Sequence, residues 1–463
     1  MRGAVRVRAA SPFARARPNA APGRPRADYA SPVERSIWSV MVGTFTLRFS
    51  TGLTGTMLIY YLAELPQHGG QPVDPIALGI FGATFFAAEL ILSPAFGSLS
   101  DRVGYHRIMQ LGPAFGFVAV ILTGLTTNLW LLGGTRFLEG ASTAASVPSI
   151  LGFIAIATAG DVSLRGKASA RFEAATLAGL GAGLVVAGPL WTLVGPLAFF
   201  LNAGIYVLSW AIYRFGVVDA RADHVDHREH RPGSIRRYAT LLRASHVWLL
   251  APTWIALNAA IGLWTGQSLF QVVREPPPQF ADQFLMGRVT PVLVSVAFIL
   301  AGVVFFAGLI WWGNRFKVYR RTTIIGLGVA GGAALVAAGL IVNHGAASSL
   351  LVLVPAAAAA AVGLFLLAGA TPAALGLLAD MSEAFPHDRG AIMGLYSVFL
   401  AVGQIAGSLL GGVAADWRGL DGILLATLGL LAIAVLPLWR LRAYEHRITH
   451  DPATPPVGEA PPA

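Results

Sequence analysis

The feature that most constrains this chain is a succession of apolar runs of about twenty residues or more, parted by short polar turns. A helix rising about 1.5 Å per residue needs about 20 such residues to cross a hydrocarbon layer about 30 Å thick. Twelve runs qualify: 36–65, 74–99, 106–127, 129–158, 168–192, 195–214, 246–272, 290–313, 321–343, 348–380, 390–414 and 419–440. Lipid offers the backbone no hydrogen bonds, so each run must satisfy its own as a helix. The expected fold is an all-α membrane protein with 12 transmembrane helices. Composition agrees, at 55% hydrophobic and 12% charged, where a soluble domain carries roughly a quarter charged residues.

The distribution of positive charge orients the spans. Of 33 Lys and Arg, 28 fall on the side that holds the N-terminus, and only Arg274, Arg288 and Arg418 fall on the other. Cytoplasmic loops carry such an excess, so a multi-pass plasma-membrane protein with both termini cytoplasmic is expected. The net charge of +10 is then a topology signal, and nucleic acid is not an expected partner. With no cysteine, disulfides and thiolate metal sites are excluded. The first 35 residues lack the apolar core of a signal peptide, so the first span is expected to act as its own insertion signal.

Residues 1–35 read as a disordered basic cytoplasmic tail, broken by Pro12, Pro18, Pro22 and Pro25. A six-helix bundle over 36–214, a cytoplasmic linker over 215–245, a second bundle over 246–440 and a cytoplasmic tail over 441–463 complete the division. The halves echo each other at an offset of 224: Pro148 and Gly152 fall on Pro372 and Gly376, Arg165 and Gly166 on Arg389 and Gly390, and Gly183 and Gly188 on Gly407 and Gly412. An offset held across several spans argues for two pseudo-symmetric six-helix bundles. In the linker, His224, His227 and His230 stand among arginines with no compact carboxylate set and read as solvated loop histidines, so no metal is expected.

Between the second and third spans lies the polar hinge Gly97 to Arg107, GSLSDRVGYHR. Its Gly97, Leu99, Asp101, Arg102 and Gly104 resemble the motif G-x-L-x-D-R-x-G of the major facilitator superfamily, and the resemblance covers about Ile37 to Arg440. The usual basic pair is partly replaced, with Tyr105 and His106 before Arg107. The resemblance implies that Gly97, Asp101, Arg102, Gly104 and Arg107 form a conformational latch against the start of the eleventh span at Asp388, Arg389 and Gly390, engaged while the cavity opens outward. The second-half counterpart, Gly313 to Arg321, has Asn314 where an acid would sit.

Two further stretches resemble the 12-helix drug and proton antiporter branch. Arg136, Glu139 and Gly140 match the fourth-span motif R-x-x-x-G. Gly183, Gly188 and Pro189 match part of the fifth-span glycine motif, although Leu184, Thr192 and Leu193 depart from it. Gly403 and Gly407 carry similar spacing in the eleventh span. Small residues of this kind also serve plain helix packing.

Ionisable groups in a span are costly and mark a cavity, a partner or a mechanism. Counted at about 1.5 Å per residue, Arg48 lies about 17 Å and Glu89 about 15 Å from the cytoplasmic end, while Arg136 and Glu139 lie about 33 and 29 Å from it. This predicts two separate clusters, with Glu89 or Glu139 as proton carrier and an Arg tuning it, or else permanent ion pairs that hold helices together. The second half offers uncharged cavity candidates: Trp254, Asn258, Trp264, Gln267, Tyr396 and Gln404. No nucleotide-binding G-x-x-x-x-G-K-[ST] occurs. The expectation is a monomeric secondary transporter, not an enzyme, that needs no cofactor and exports a small amphipathic compound against protons. A uniporter or importer of a metabolite, or a non-transporting scaffold or receptor on the same fold, is the alternative.

Overall fold

The computed structural model describes residues 32–159, 162–218, 247–316, 318–345, 349–383 and 389–450. The described residues are helical with short connections. In the first half run α1 (Pro32–Ala63), α2 (Pro75–Val103), α3 (Tyr105–Met109), α4 (Leu111–Leu125), α5 (Leu129–Ala157), α6 (Val162–Val194) and α7 (Leu197–Gly216). The second half holds α8 (Ala251–Trp264), α9 (Gln267–Val273), α10 (Pro291–Gly313), α11 (Arg321–His344), α12 (Leu350–Leu367), α13 (Ala370–Glu383), α14 (Arg389–Val435) and α15 (Leu438–His450).

Among the described residues, nine helical stretches are long and apolar enough to cross a membrane. The difference from twelve has local causes. The seventh span breaks at Thr265 and Gly266 into α8 and α9, each too short alone. The eleventh and twelfth spans run on as α14, interrupted only by non-helical backbone at Arg418 and Gly419. The first span, as α1, is long enough but is not among the nine.

The helix starts follow local chemistry. Asp74 caps α2, its carboxylate accepting from Ala77 N at 2.6 Å, with Pro75 at the first helical position. Thr290 and Pro291 repeat the arrangement at α10, the hydroxyl accepting from Leu293 N at 3.3 Å. At the hinge, Gly104 ends α2 with φ +105° and lets α3 begin at once. A side chain would strain that backbone, which is why the hinge needs glycine there.

Packing is uneven along the molecule. At the end away from the hinge, called here the far end, one apolar core spans both halves: Leu53, Met57 and Phe81 share it with Leu269, Phe270 and Val294. At the hinge end the cores are separate. Ile37, Met109, Phe153 and Tyr213 belong to a first-half core, and Val247, Trp312, Ile324 and Leu377 to a second-half one.

The expected tail and linker lie largely outside the described residues, at 1–31, 219–246 and 451–463, as do His224, His227 and His230. The segment expected as a cytoplasmic tail from 441 begins within α15. Its Glu445 carboxylate accepts from Arg321 N (2.9 Å), Thr322 N (3.2 Å) and the Thr322 hydroxyl (2.5 Å), capping α11 from a distant part of the chain.

Candidate functional site

At the hinge, Asp101 and Arg102 are exposed at the end of α2, and Arg107 is exposed in α3. The Tyr105 hydroxyl donates to Asp101 Oδ1 at 2.5 Å. Its ring lies across Gly152 of α5, where an added Cβ would fall 2.1 Å from Tyr105 Cε1. His106 Nε2 donates to the Tyr213 carbonyl of α7 at 2.9 Å. Both residues that depart from the usual basic pair thus anchor the hinge to its own half. A Cβ on Gly97 would meet Pro148 Cβ at an ordinary 3.7 Å, so space alone does not demand glycine there. Of the partner expected for the latch, Asp388 lies outside the described residues, as does the side chain of Arg389, while the backbone of Arg389 and Gly390 opens α14.

Deeper in the first half, Arg136 forms an ion pair with Glu139, one turn along α5, and its guanidinium sits 4.8 Å from the centroid of the Phe85 ring. Glu139 is buried at 2% exposure, and its Oε1 has no hydrogen-bond partner. Arg48 Nη1 donates to Thr143 Oγ1 at 3.5 Å, and Arg48 is the charged group acting on Glu89. The two clusters are therefore neighbours: Phe85 and Glu89 are one turn apart on α2, and Glu139 and Thr143 one turn apart on α5. Counting depth from the span ends placed them too far apart, because α5 overshoots the hinge. Gly97 faces Pro148, which leaves nine residues, about 14 Å, of α5 beyond that level.

The second-half candidates are mostly committed elsewhere. Trp254 is in the hinge-end core at 2% exposure, Asn258 Nδ2 donates to the Trp254 carbonyl at 2.9 Å, and Trp264 Nε1 donates to Thr427 Oγ1 at 2.8 Å. These three sit in packing, not on an open cavity wall, because α8 lies along α14 with its neighbours' glycines pressed against it. Gln404 is half-buried, its backbone against Gly262, and the Tyr396 side chain is outside the described residues. Gln267 instead joins the halves, donating from Nε2 to the Pro75 carbonyl at 2.6 Å.

The glycine candidates fall into two matched sets. Gly183 backs onto Phe49 O of α1, and Gly403 and Gly407 onto Ile255 O and Ala259 O of α8, within each half. Gly188 backs onto Pro291 O and Ser295 of α10, and Gly412 onto Pro75 O and Ile76 of α2, between halves at the far end. Pro189 lies inside α6 beside the first of these contacts. An added Cβ would come within 2.0 Å of Pro291 O at Gly188 and 2.8 Å of Pro75 O at Gly412.

Sequence reasoning did not find the other residues of this closure. Gly79 and Gly82 of α2 pack on Ser408, and a pocket of about 270 Å³ between the halves is lined by Asp74, Arg274, Phe280 and Asp416. Burial holds the Arg274 guanidinium below its ordinary pKa, while Asp416 and Asp74 pull it back up. The recurring Asp-Pro and Thr-Pro starts of α2 and α10 were the available signal. Nor was the cluster at the far end of α11 anticipated, where His344 Nε2 meets Asp421 Oδ2 at 2.6 Å and Asn343 Nδ2 donates to Asp421 Oδ1 at 2.8 Å. Among the described residues, no group of three or more His, Cys, Asp or Glu is placed to hold a metal ion.

The family model described as "Major Facilitator Superfamily" matches residues 40–354. Multidrug resistance protein 1 of Bacillus subtilis (strain 168) is 24% identical over 371 residues, covering 80% of this chain and 88% of that protein. Multidrug resistance protein MdtG of Proteus mirabilis (strain HI4320) is 28% identical over a shorter stretch, 25% of this chain and 29% of that one. The crystal structure of the nucleoside transporter NupG superposes with a TM-score of 0.67 at 11% identity, covering 88% of this chain and 98% of that one. At that identity the likeness is one of fold.

Proposed function

The chain belongs to the Major Facilitator Superfamily, and on that footing we propose that it is a proton-coupled exporter of a small amphipathic organic compound, working by alternating access. Its two six-helix halves, 36–214 and 246–440, would rock about a midplane site. By the positive-inside rule the hinge end is cytoplasmic, with both termini on that side of the plasma membrane. The far-end closure and the separate hinge-end cores then correspond to an inward-facing state.

The observation that carries the coupling is the Arg136–Glu139 pair, buried inside the first half with one carboxylate oxygen unpartnered. A buried acid balanced by a neighbouring cation is poised to exchange a proton when the surroundings change. In this reading Glu139 carries the proton and Glu89, acted on by Arg48, is the second candidate. Relatives named as multidrug resistance proteins support the export direction. Asp101, held by Tyr105 in this state, is released to latch the halves when the cavity faces outward.

The test uses ethidium as a probe in proteoliposomes with an imposed pH gradient. The wild-type chain is expected to accumulate ethidium against its gradient, and Glu139→Gln to lose that accumulation. Unchanged gradient-driven transport in both Glu139→Gln and Glu89→Gln would rule out these carboxylates, and pH-independent equilibration in the wild-type chain would favour a uniporter.

A further inference from the structure

Asn202, Tyr206, Ser209 and Tyr213 recur every three or four residues along α7, so they form one stripe. All four are buried at 3% exposure or less, and the stripe faces a second polar row on α1. Asn202 Nδ2 donates to Thr54 Oγ1 at 2.7 Å and to Ser50 O at 3.1 Å. Ser209 Oγ donates to Gly43 O at 3.0 Å, and the Tyr213 hydroxyl lies 3.4 Å from Thr44 Oγ1. At the hinge end the stripe reaches His106 through the Tyr213 carbonyl. Between Asn202 and Ser209 the Tyr206 hydroxyl approaches Thr51 and Thr54, and the charged groups acting on it are Glu139 and Arg136. The Tyr206 ring crosses Gly116 of α4, where no larger residue would fit.

Three fully buried atoms along this path have no protein partner: Glu139 Oε1, Asn202 Oδ1 and Ser50 Oγ. Buried polar groups are almost always hydrogen-bonded, and where protein offers no partner the usual one is an internal water with two to four polar neighbours. Asn202 Oδ1 and Ser50 Oγ lie on the α1–α7 contact itself, and Glu139 of α5, a charge acting on Tyr206, lies one turn from Thr143, which α1 reaches through Arg48.

We propose that the α1–α7 seam is a water-bearing proton path that connects Glu139 to the hinge-end surface beside His106, separate from the central cavity. It rests on the reading of Glu139 as proton carrier. A water bonded to Oε1 gives its proton to the carboxylate, forming the neutral acid, and regains one from the next water along the seam; release reverses the order. Tyr206 and Asn202 hold the waters in line and are positioning residues. Arg136 on α5, with Glu89 and Arg48 one turn away, are the other charges near Glu139. Substrate and proton then reach the first half by different routes.

The experiment is infrared spectroscopy of the reconstituted protein in a lipid film during a switch from H2O to D2O. The stretch of the protonated Glu139 carboxyl is assigned by its loss in Glu139→Gln, and that of Glu89 by its loss in Glu89→Gln. In the wild-type chain the Glu139 band is expected to shift to its deuterated position at once. In Tyr206→Phe, which keeps the ring on Gly116, and in Asn202→Leu, exchange at Glu139 is expected to slow by about tenfold, in line with the loss of one bridging hydrogen bond. Exchange at Glu89 should not change, which a general loosening of the fold would not spare. Equally fast exchange at Glu139 in both variants would overturn the seam while leaving Glu139 as carrier. No Glu139 band at any pH would overturn the carrier reading and the seam with it.

Discussion

At the scale of the residue, the hinge departs from its family pattern in a way that has consequences. Tyr105 stands where a basic residue is usual, and its hydroxyl holds Asp101 at 2.5 Å. Tyr105→Phe keeps the ring on Gly152 and frees the carboxylate, so the latched, outward-facing state should gain population. The loss of one hydrogen bond to a charged group corresponds to about 1.5–3 kcal/mol, enough to move a state equilibrium by about tenfold or more. Spin labels on cysteines placed at the hinge end, in a chain with no native cysteine, should report a shorter distance in the variant. An unchanged distribution would show that Tyr105 is only packing. Arg48, Glu89, Arg136 and Glu139 were legible because a charge in an apolar run is conspicuous. Asn202 and Tyr206 were not, since hydroxyl and amide groups in a span are common and only their alignment with Ser50 and Thr54 gives them meaning.

At the scale of the element, the far-end closure depends on two helix starts meeting two glycines. Gly188→Ala would put a Cβ about 2.0 Å from Pro291 O, backbone that cannot swing aside as a side chain can. The variant should fold, because the contact lies between halves, but close poorly at the far end. Labelling of a cysteine introduced at Asp74, in the far-end pocket, should accelerate; an unchanged rate would mean that the contact is not a gate. At the opposite face, Glu445→Ala removes the carboxylate that caps α11. Loss of a cap typically costs about 0.5–2 kcal/mol, so the melting temperature should fall, and an unchanged value would place the cap outside the folding unit. Span positions were readable from hydropathy because every crossing obeys the same length. The break at Gly266, the run-through at Arg418 and the docking of α15 were not, because packing against distant helices decides them.

At the scale of the whole molecule, the twofold plan was visible in the offset of 224 that relates Gly183 to Gly407 and Gly188 to Gly412. The structure gives that offset a physical content: the first pair packs within the halves, the second between them. Which end is shut could not be read from sequence, since it is set by how the helices of the two halves pack on each other and not by which spans are present. The same limit governed the charges. Depth counted along separate helices carries no common zero, so Arg136 and Glu139 looked remote from Glu89 until Gly97 was found beside Pro148.

Coupling is reciprocal, so in the proton-coupled exporter proposed above a substrate gradient would move protons just as a proton gradient would move substrate. The most direct test loads proteoliposomes with ethidium and a trapped pH indicator, imposes no pH gradient, and follows the lumen as ethidium leaves. Acidification in step with efflux in the wild-type chain, absent in Glu139→Gln, is the predicted result. Ethidium efflux from wild-type vesicles with no change in lumenal pH would contradict the account.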